Sequence, residues 1–223
     1  MILLREYIKE VLEIVPKVQP GSQIFCDMDG VLVDFETAVV ALINKLLDGG
    51  QLPGVKRTKG YFARLGKVQS ELGKDWRAQS RPDLDIKSVR NFMMGAIGAN
   101  PGPVFASMPA HSDGVNQLWP FLNSTGRTVN LLTAPITARK GAAMTAGEGK
   151  IIWAGQLDPP PAEIIVTPAA QKMAYATAGG VPNVLIDDRS STVESWNNAG
   201  GIAVLHAPGG SSTTIQKLIE LGL

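Results

Sequence analysis

Two aspartates one residue apart, Asp27 and Asp29 in IFCDMDGVLVDF, close a short apolar run just ahead of a glycine. A second acid pair, Asp187 and Asp188 in NVLIDDR, closes another apolar run. Between them in the chain, the run VNLL delivers the hydroxyl of Thr133, and the run EIIV is followed by Lys172. Acid pairs ending two buried strands repel one another unless a cation lies between them. Hard oxygen donors without a matching set of histidines or cysteines suit Mg²⁺ rather than zinc. Magnesium keeps waters, takes one or two carboxylates and accepts substrate phosphate, so a phosphoryl group between it and Lys172 would be neutralised from two sides. Thr133 and the backbone N–H groups of the 27–30 turn could add hydrogen bonds to its oxygens. Side chains two apart on an extended backbone face the same way. With a curl at Gly30, Asp27 can then attack phosphorus while Asp29 protonates the departing alcohol and later takes a proton from water. That second role asks for a raised Asp29 pKa, which a neighbouring carboxylate and partial burial favour and a metal opposes.

These groups meet only if the runs that carry them lie side by side. Short apolar runs alternate with helical patterns from residue 22 onward: strand 22–26, helix 35–47, strand 127–132 and a helical stretch over 137–157 weakened by glycines. Strand 163–166, helix 169–178, strand 183–186, helix 191–198, strand 202–205 and helix 213–221 follow. Such alternation predicts an α/β fold with a parallel, Rossmann-like sheet covered by helices on both faces. Ligands in such sheets bind at the carboxyl ends of the strands, which is where the six groups fall.

Between residues 49 and 103 the strand pattern disappears, and Lys, Arg, Gly and Gln accompany Tyr61, Phe62, Trp76 and Phe92. The stretch is too long for a bare loop in a compact domain and reads as a mainly helical cap inserted after the first strand. Residues 21–48 and 104–223 then form the core. Residues 1–20 carry an amphipathic helix, with Leu4, Ile8, Val11, Leu12 and Val15 on one stripe and Pro16 and Pro20 behind it. That stripe packs on its own domain or docks a partner, a second copy of the chain included.

The 223 residues suffice for one good-sized core, and a net charge of +1 with 18% charged residues gives no sign of a nucleic-acid or membrane surface. The amino terminus is too charged for a signal-peptide core, no run is long enough to span a bilayer, and Cys26 is the only cysteine. A reducing, cytoplasmic setting is expected. His111 and His206 read as isolated histidines, AGGIAV at 199–204 as a helix stop before a strand, and PGGSS at 208–212 as a turn with an N-cap.

The motifs DMDGV, LLT, the lysine of AAQKMA and LIDD, in this order, resemble those of the haloacid dehalogenase superfamily over about residues 22–206. DMDGVLVDFE, PVFASMPAHSDGVNQLW, LLTAPI and LIDDR look most like the 5'(3')-deoxyribonucleotidases and related phage-type proteins within it. The resemblance implies a Mg²⁺-dependent phosphomonoesterase with Asp27 as nucleophile, Asp29 as acid/base, Asp187 and Asp188 at the metal and Thr133 and Lys172 on the phosphate. It also implies that the Asp29 main-chain carbonyl joins the metal and that Phe35 packs on a nucleobase. Two departures stand out. Ala134 occupies a position where the family has serine, and Ala169, Ala170 and Gln171 precede the lysine where the family carries a basic residue. The phosphate grip is then shared with Arg189 or Arg139, and Trp76 is a further candidate for the leaving group. The expected substrate is a deoxynucleoside monophosphate or a similar small ester. A sugar phosphate, a nucleic-acid 3'-phosphate, and a non-catalytic assembly protein on the same fold are the alternatives.

Overall fold

The structure is a computed structural model, and it describes residues 17–35, 37–38, 97–98, 101–136 and 143–223. The amino-terminal stripe, most of the 49–103 insertion with Tyr61, Phe62, Trp76 and Phe92, and Arg139 lie outside the described residues. The chain divides into two compact units. The first comprises Met1–Val33, Ala110–Thr133 and Pro161–Leu223, the second Asp34–Pro109 and Ala134–Pro160.

The first unit is built on five parallel strands: β1 (Ile24–Cys26), β2 (Val129–Thr133), β3 (Ile164–Val166), β6 (Val184–Asp187) and β7 (Ile202–Leu205). Their order is β3-β2-β1-β6-β7, which puts β1 at the centre, paired through Cys26 with Leu131 on one side and Ile186 on the other. This is the expected α/β architecture. Central strands here are apolar on both faces because both faces are covered. Phe25, Leu132, Ile165 and Leu185 meet Trp196 from the helix Ser190–Asn198 on one face, with the Phe25 and Trp196 ring centroids 5.7 Å apart. Ile24, Cys26, Leu131 and Ile186 are fully buried on the other.

Three expected elements take a different form. The helix expected over 169–178 is a 3₁₀ helix, Ala169–Tyr175, followed by a small antiparallel hairpin of β4 (Thr177–Ala178) and β5 (Val181–Pro182). Gly179 and Gly180 both have positive φ, as a type I′ hairpin turn requires, so the Gly-Gly pair reverses the chain between β4 and β5. Within the stretch expected over 137–157, the described helix is Ala146–Ala154. Thr145 caps it: its hydroxyl accepts from the Glu148 N–H while the Glu148 carboxylate accepts from the Thr145 N–H, a reciprocal box. The last helix is Ser211–Glu220, and no side chain of the PGGSS turn caps it. The Ser211 N–H donates instead to the Asp113 carboxylate at 3.0 Å.

In the second unit, residues 134–160, which the sequence reading grouped with the core, associate with residues 34–109. Helix Ala146–Ala154 crosses helix Pro101–Ala106 where Gly149 meets Gly102, so closely that a Cβ on Gly149 would overlap the Gly102 carbonyl. The Lys150 ammonium lies 4.8 Å from the Phe105 ring centroid, and Trp153 donates its indole N–H to the Met108 carbonyl at 2.8 Å. No helix among the described residues is long and apolar enough to cross a membrane.

Candidate active site

Asp27 continues the β1 pairing by one residue, its N–H donating to the Ile186 carbonyl at 2.8 Å. It therefore stands beside Asp187, the last residue of β6, with both side chains on the Phe25–Leu185 face. Lys172 reaches this pair from the 3₁₀ helix that follows β3. Its Nζ is 3.0 Å from Asp27 Oδ1 and 2.8 Å from Asp187 Oδ2. Lys172 is 2% exposed, Asp187 0% and Asp27 5%, so the bridge is sealed from bulk solvent. The second Asp187 oxygen accepts the Arg189 N–H at 2.9 Å.

Burial and the adjacent Asp27 push the Asp187 carboxyl above its ordinary range, against the pull of Lys172. Burial works against the Lys172 ammonium, but the two carboxylates outweigh it and hold its pKa above the usual lysine value. The Cys26 thiol is driven well up by complete burial and then by Asp27. It donates to the Asp27 carbonyl at 3.3 Å. A thiol in that state packs as a small apolar group.

Asp188 completes an acid cluster: Asp27, Asp187 and Asp188 each offer one carboxylate oxygen, all within 4.8 Å of one another. Oxygens at the corners of an octahedron around Mg²⁺, each about 2.1 Å from the ion, fall within that spacing. Gly30 gives Asp188 its room. Its φ is +76°, and a Cβ there would overlap the Asp188 carboxylate, so glycine answers both a left-handed backbone and a close approach. The donor set, all hard oxygens with an adjacent buried ammonium, fits Mg²⁺.

Asp29 is half-buried in the turn that follows β1. Met28 accepts at its carbonyl from the N–H groups of Leu32 and Val33, both at 2.9 Å, and Gly30 donates to the Val33 carbonyl at 3.0 Å. Thr133 ends β2, fully buried next to β1, and its carbonyl accepts the Thr167 N–H at 3.0 Å.

Phe35 and Ala134 belong to the second unit, and the Phe35 ring lies 6.3 Å from that of Phe105. Arg189 is exposed, and its backbone N–H is what reaches Asp187. Gln171, the residue before Lys172, accepts the Thr167 hydroxyl proton at 3.1 Å. Trp76 lies outside the described residues. Asp34 caps the helix after the turn, accepting from the Thr37 N–H at 2.9 Å and the Thr37 hydroxyl at 2.6 Å. His206 is not isolated: it is 2% exposed, its Nδ1 lies 2.9 Å from the Thr214 hydroxyl, and burial holds its imidazole below the usual histidine value against the opposing pull of Asp113. Sequence reasoning missed the Arg189 N–H, because a backbone donor carries no residue-type signal.

No family model matches the chain, and no curated protein matches it. Solved structures similar to it include a phosphonoacetaldehyde hydrolase-like protein from Oleispira antarctica, at 12% identity and TM-score 0.44 over 93% of this chain and 88% of that one. A HAD-superfamily hydrolase of subfamily IA from Geobacter sulfurreducens has 14% identity and TM-score 0.46 over 92% and 100%. A haloacid dehalogenase-like family protein from Streptococcus pneumoniae has 14% and 0.45 over 88% and 90%. Likenesses this distant leave the chemistry to be argued from the side chains.

Proposed function

We propose that the chain is a Mg²⁺-dependent phosphomonoester hydrolase that works through an aspartyl-phosphate on Asp27. The observation that carries this reading is the bridge of Lys172 between Asp27 at 3.0 Å and Asp187 at 2.8 Å, with an Asp188 oxygen in the same cluster. Three clustered carboxylates against one buried ammonium leave an excess of negative charge, which is costly unless a cation offsets it. Asp27, Asp187 and Asp188 would hold the metal, which supplies charge neutralisation at the phosphoryl oxygens. The motif resemblance adds the Asp29 main-chain carbonyl.

Lys172 orients the Asp27 carboxylate and would offer its ammonium to an oxygen of the entering phosphate. The Asp27 oxygen not paired with Lys172 attacks phosphorus, the ester P–O bond breaks, and the departing alkoxide takes its proton from Asp29. Asp29, now a carboxylate, accepts a proton from the water that attacks the aspartyl-phosphate. This releases inorganic phosphate and restores both acids. Thr133 donates a hydrogen bond to a phosphate oxygen.

The substrate reading rests on the sequence resemblance: a deoxynucleoside monophosphate, with Phe35 and the 49–103 insertion selecting the leaving group. A panel of nucleotides, sugar phosphates and 3'-phosphorylated oligonucleotides decides between the ester classes, and no turnover of any of them with Mg²⁺ would leave the assembly-protein reading. Asp27→Asn is expected to reduce phosphate release by at least about 10³-fold. Wild-type activity in that variant would remove Asp27 as nucleophile.

A further inference from the structure

The turn that carries Asp29 is gripped from outside by the segment that follows Pro109. Ala110 forms a bridge to Val33, and the His111 N–H donates to the Leu32 carbonyl at 2.8 Å. Gly114 then opens a five-residue π-helical turn, Gly114–Leu118. Gly114 is buried against the Asp29 turn: a Cβ there would overlap the Val31 carbonyl oxygen and lie 3.2 Å from Leu32 Cα. Its φ is not positive, so the backbone conformation does not call for glycine. Glycine inside a helical turn costs about 0.5–1 kcal/mol relative to alanine, and the close approach of the Val31 carbonyl is what that cost serves.

The segment cannot simply yield. Asp113, the residue before Gly114, accepts the Ser211 N–H at 3.0 Å and ties the segment to the helix Ser211–Glu220. On its other side the same turn meets Asp188 at Gly30, where a Cβ would also overlap. The turn is thus seated between two glycine contacts. A methyl group added at 114 must displace the turn.

We infer that Gly114 is a positioning residue for Asp29, setting the depth of the 28–33 turn and so the place where the Asp29 carboxylate meets the leaving oxygen. This rests on the reading of Asp29 as general acid. A general acid matters for an alkyl ester and little for an aryl ester whose leaving group departs unprotonated, so the two esters separate positioning from general damage.

The test compares kcat/KM of wild type and Gly114→Ala, with Mg²⁺, on p-nitrophenyl phosphate and on a deoxynucleoside 5'-monophosphate. General acid catalysis contributes about 10²–10⁴-fold. The nucleotide rate is expected to fall about 10²-fold and the aryl rate less than about tenfold, a split that vanishes when Gly114→Ala is placed on Asp29→Asn. If Gly114→Ala gives no folded protein, His111→Pro removes the N–H donated to Leu32 without adding a Cβ, and its expected split has the same sign and a smaller size. Equal losses on both esters, no loss on either, or a split that persists without the Asp29 carboxylate would overturn the inference while leaving the phosphatase reading intact. If the nucleotide is not a substrate, the alkyl ester of the panel that wild type does hydrolyse takes its place, and a wild type that hydrolyses no ester of the panel overturns both.

Discussion

Two lysines among the described residues are buried, in two different ways. Lys172, in the first unit, lies within 3.0 Å of two carboxylates. Lys150, in the second, places its ammonium 4.8 Å from the centre of the Phe105 ring while its helix is pressed onto Pro101–Ala106 through Gly149. Two acids side by side at strand ends would repel, and Lys172 is the cation that lets Asp27 and Asp187 share one rim. A charge held among groups of opposite sign that a ligand can displace or recruit belongs to a site. A lysine laid over a ring, next to a glycine-tightened helix crossing, adds packing to whatever else its ammonium meets.

That contrast breaks most readily at Lys172. Lys172→Met is expected to lower kcat/KM for phosphate release by about 10²–10³-fold. The variant also leaves Asp27 and Asp187 facing one another without the ammonium, so its thermal midpoint should rise more on addition of Mg²⁺ than that of wild type. Thermal scans with EDTA and with Mg²⁺ check this, and an equal rise in both proteins would mean that Lys172 and the metal do not neutralise the same carboxylates. Lys150→Ala sharpens the other half. It loses a ring contact and opens a cavity, which together cost about 2 kcal/mol or more in a urea titration, with no differential response to Mg²⁺.

The smallest effect is expected at Asp113. Burial alone would raise its pKa, but hydrogen bonding from Ser211 outweighs it and holds the carboxyl below the usual range. A depressed carboxyl contributes stability that is fully present above about pH 4 and is lost as the pH falls through its folded value. Asp113→Ala, which removes a helix cap, should cost about 1 kcal/mol near neutral pH. Its stability should approach that of wild type in strong acid, as pH-resolved denaturant titrations would show.

What could be read in the sequence follows the same division. The strands were legible because both faces of a central parallel strand are buried, leaving short apolar runs such as IFC and VLI. The acids that end those runs were legible because charge at the edge of a core demands a reason. The Lys172 bridge is legible as a residue type, but not as a geometry: the segment expected as a helix over 169–178 is a 3₁₀ helix ending at Tyr175, followed by the hairpin that turns at Gly179 and Gly180. The Thr145–Glu148 box is likewise present, as T-A-G-E, and it opens the described helix at Ala146. Gly114 carried no signal of its own, because a close backbone approach to Val31, 83 residues earlier, is a property of the packed chain. Nor did the Asp113 cap on Ser211, whose partners are likewise distant in sequence.

The central claim is that Asp27 becomes phosphorylated during turnover. The most direct measurement is to quench the Mg²⁺-loaded protein in acid during turnover of p-nitrophenyl phosphate, reduce with borohydride, and map the modified residue by mass spectrometry. The account predicts conversion of Asp27 to homoserine, absent without substrate. Steady release of phosphate with Asp27 unmodified and another residue labelled, or none, would contradict it.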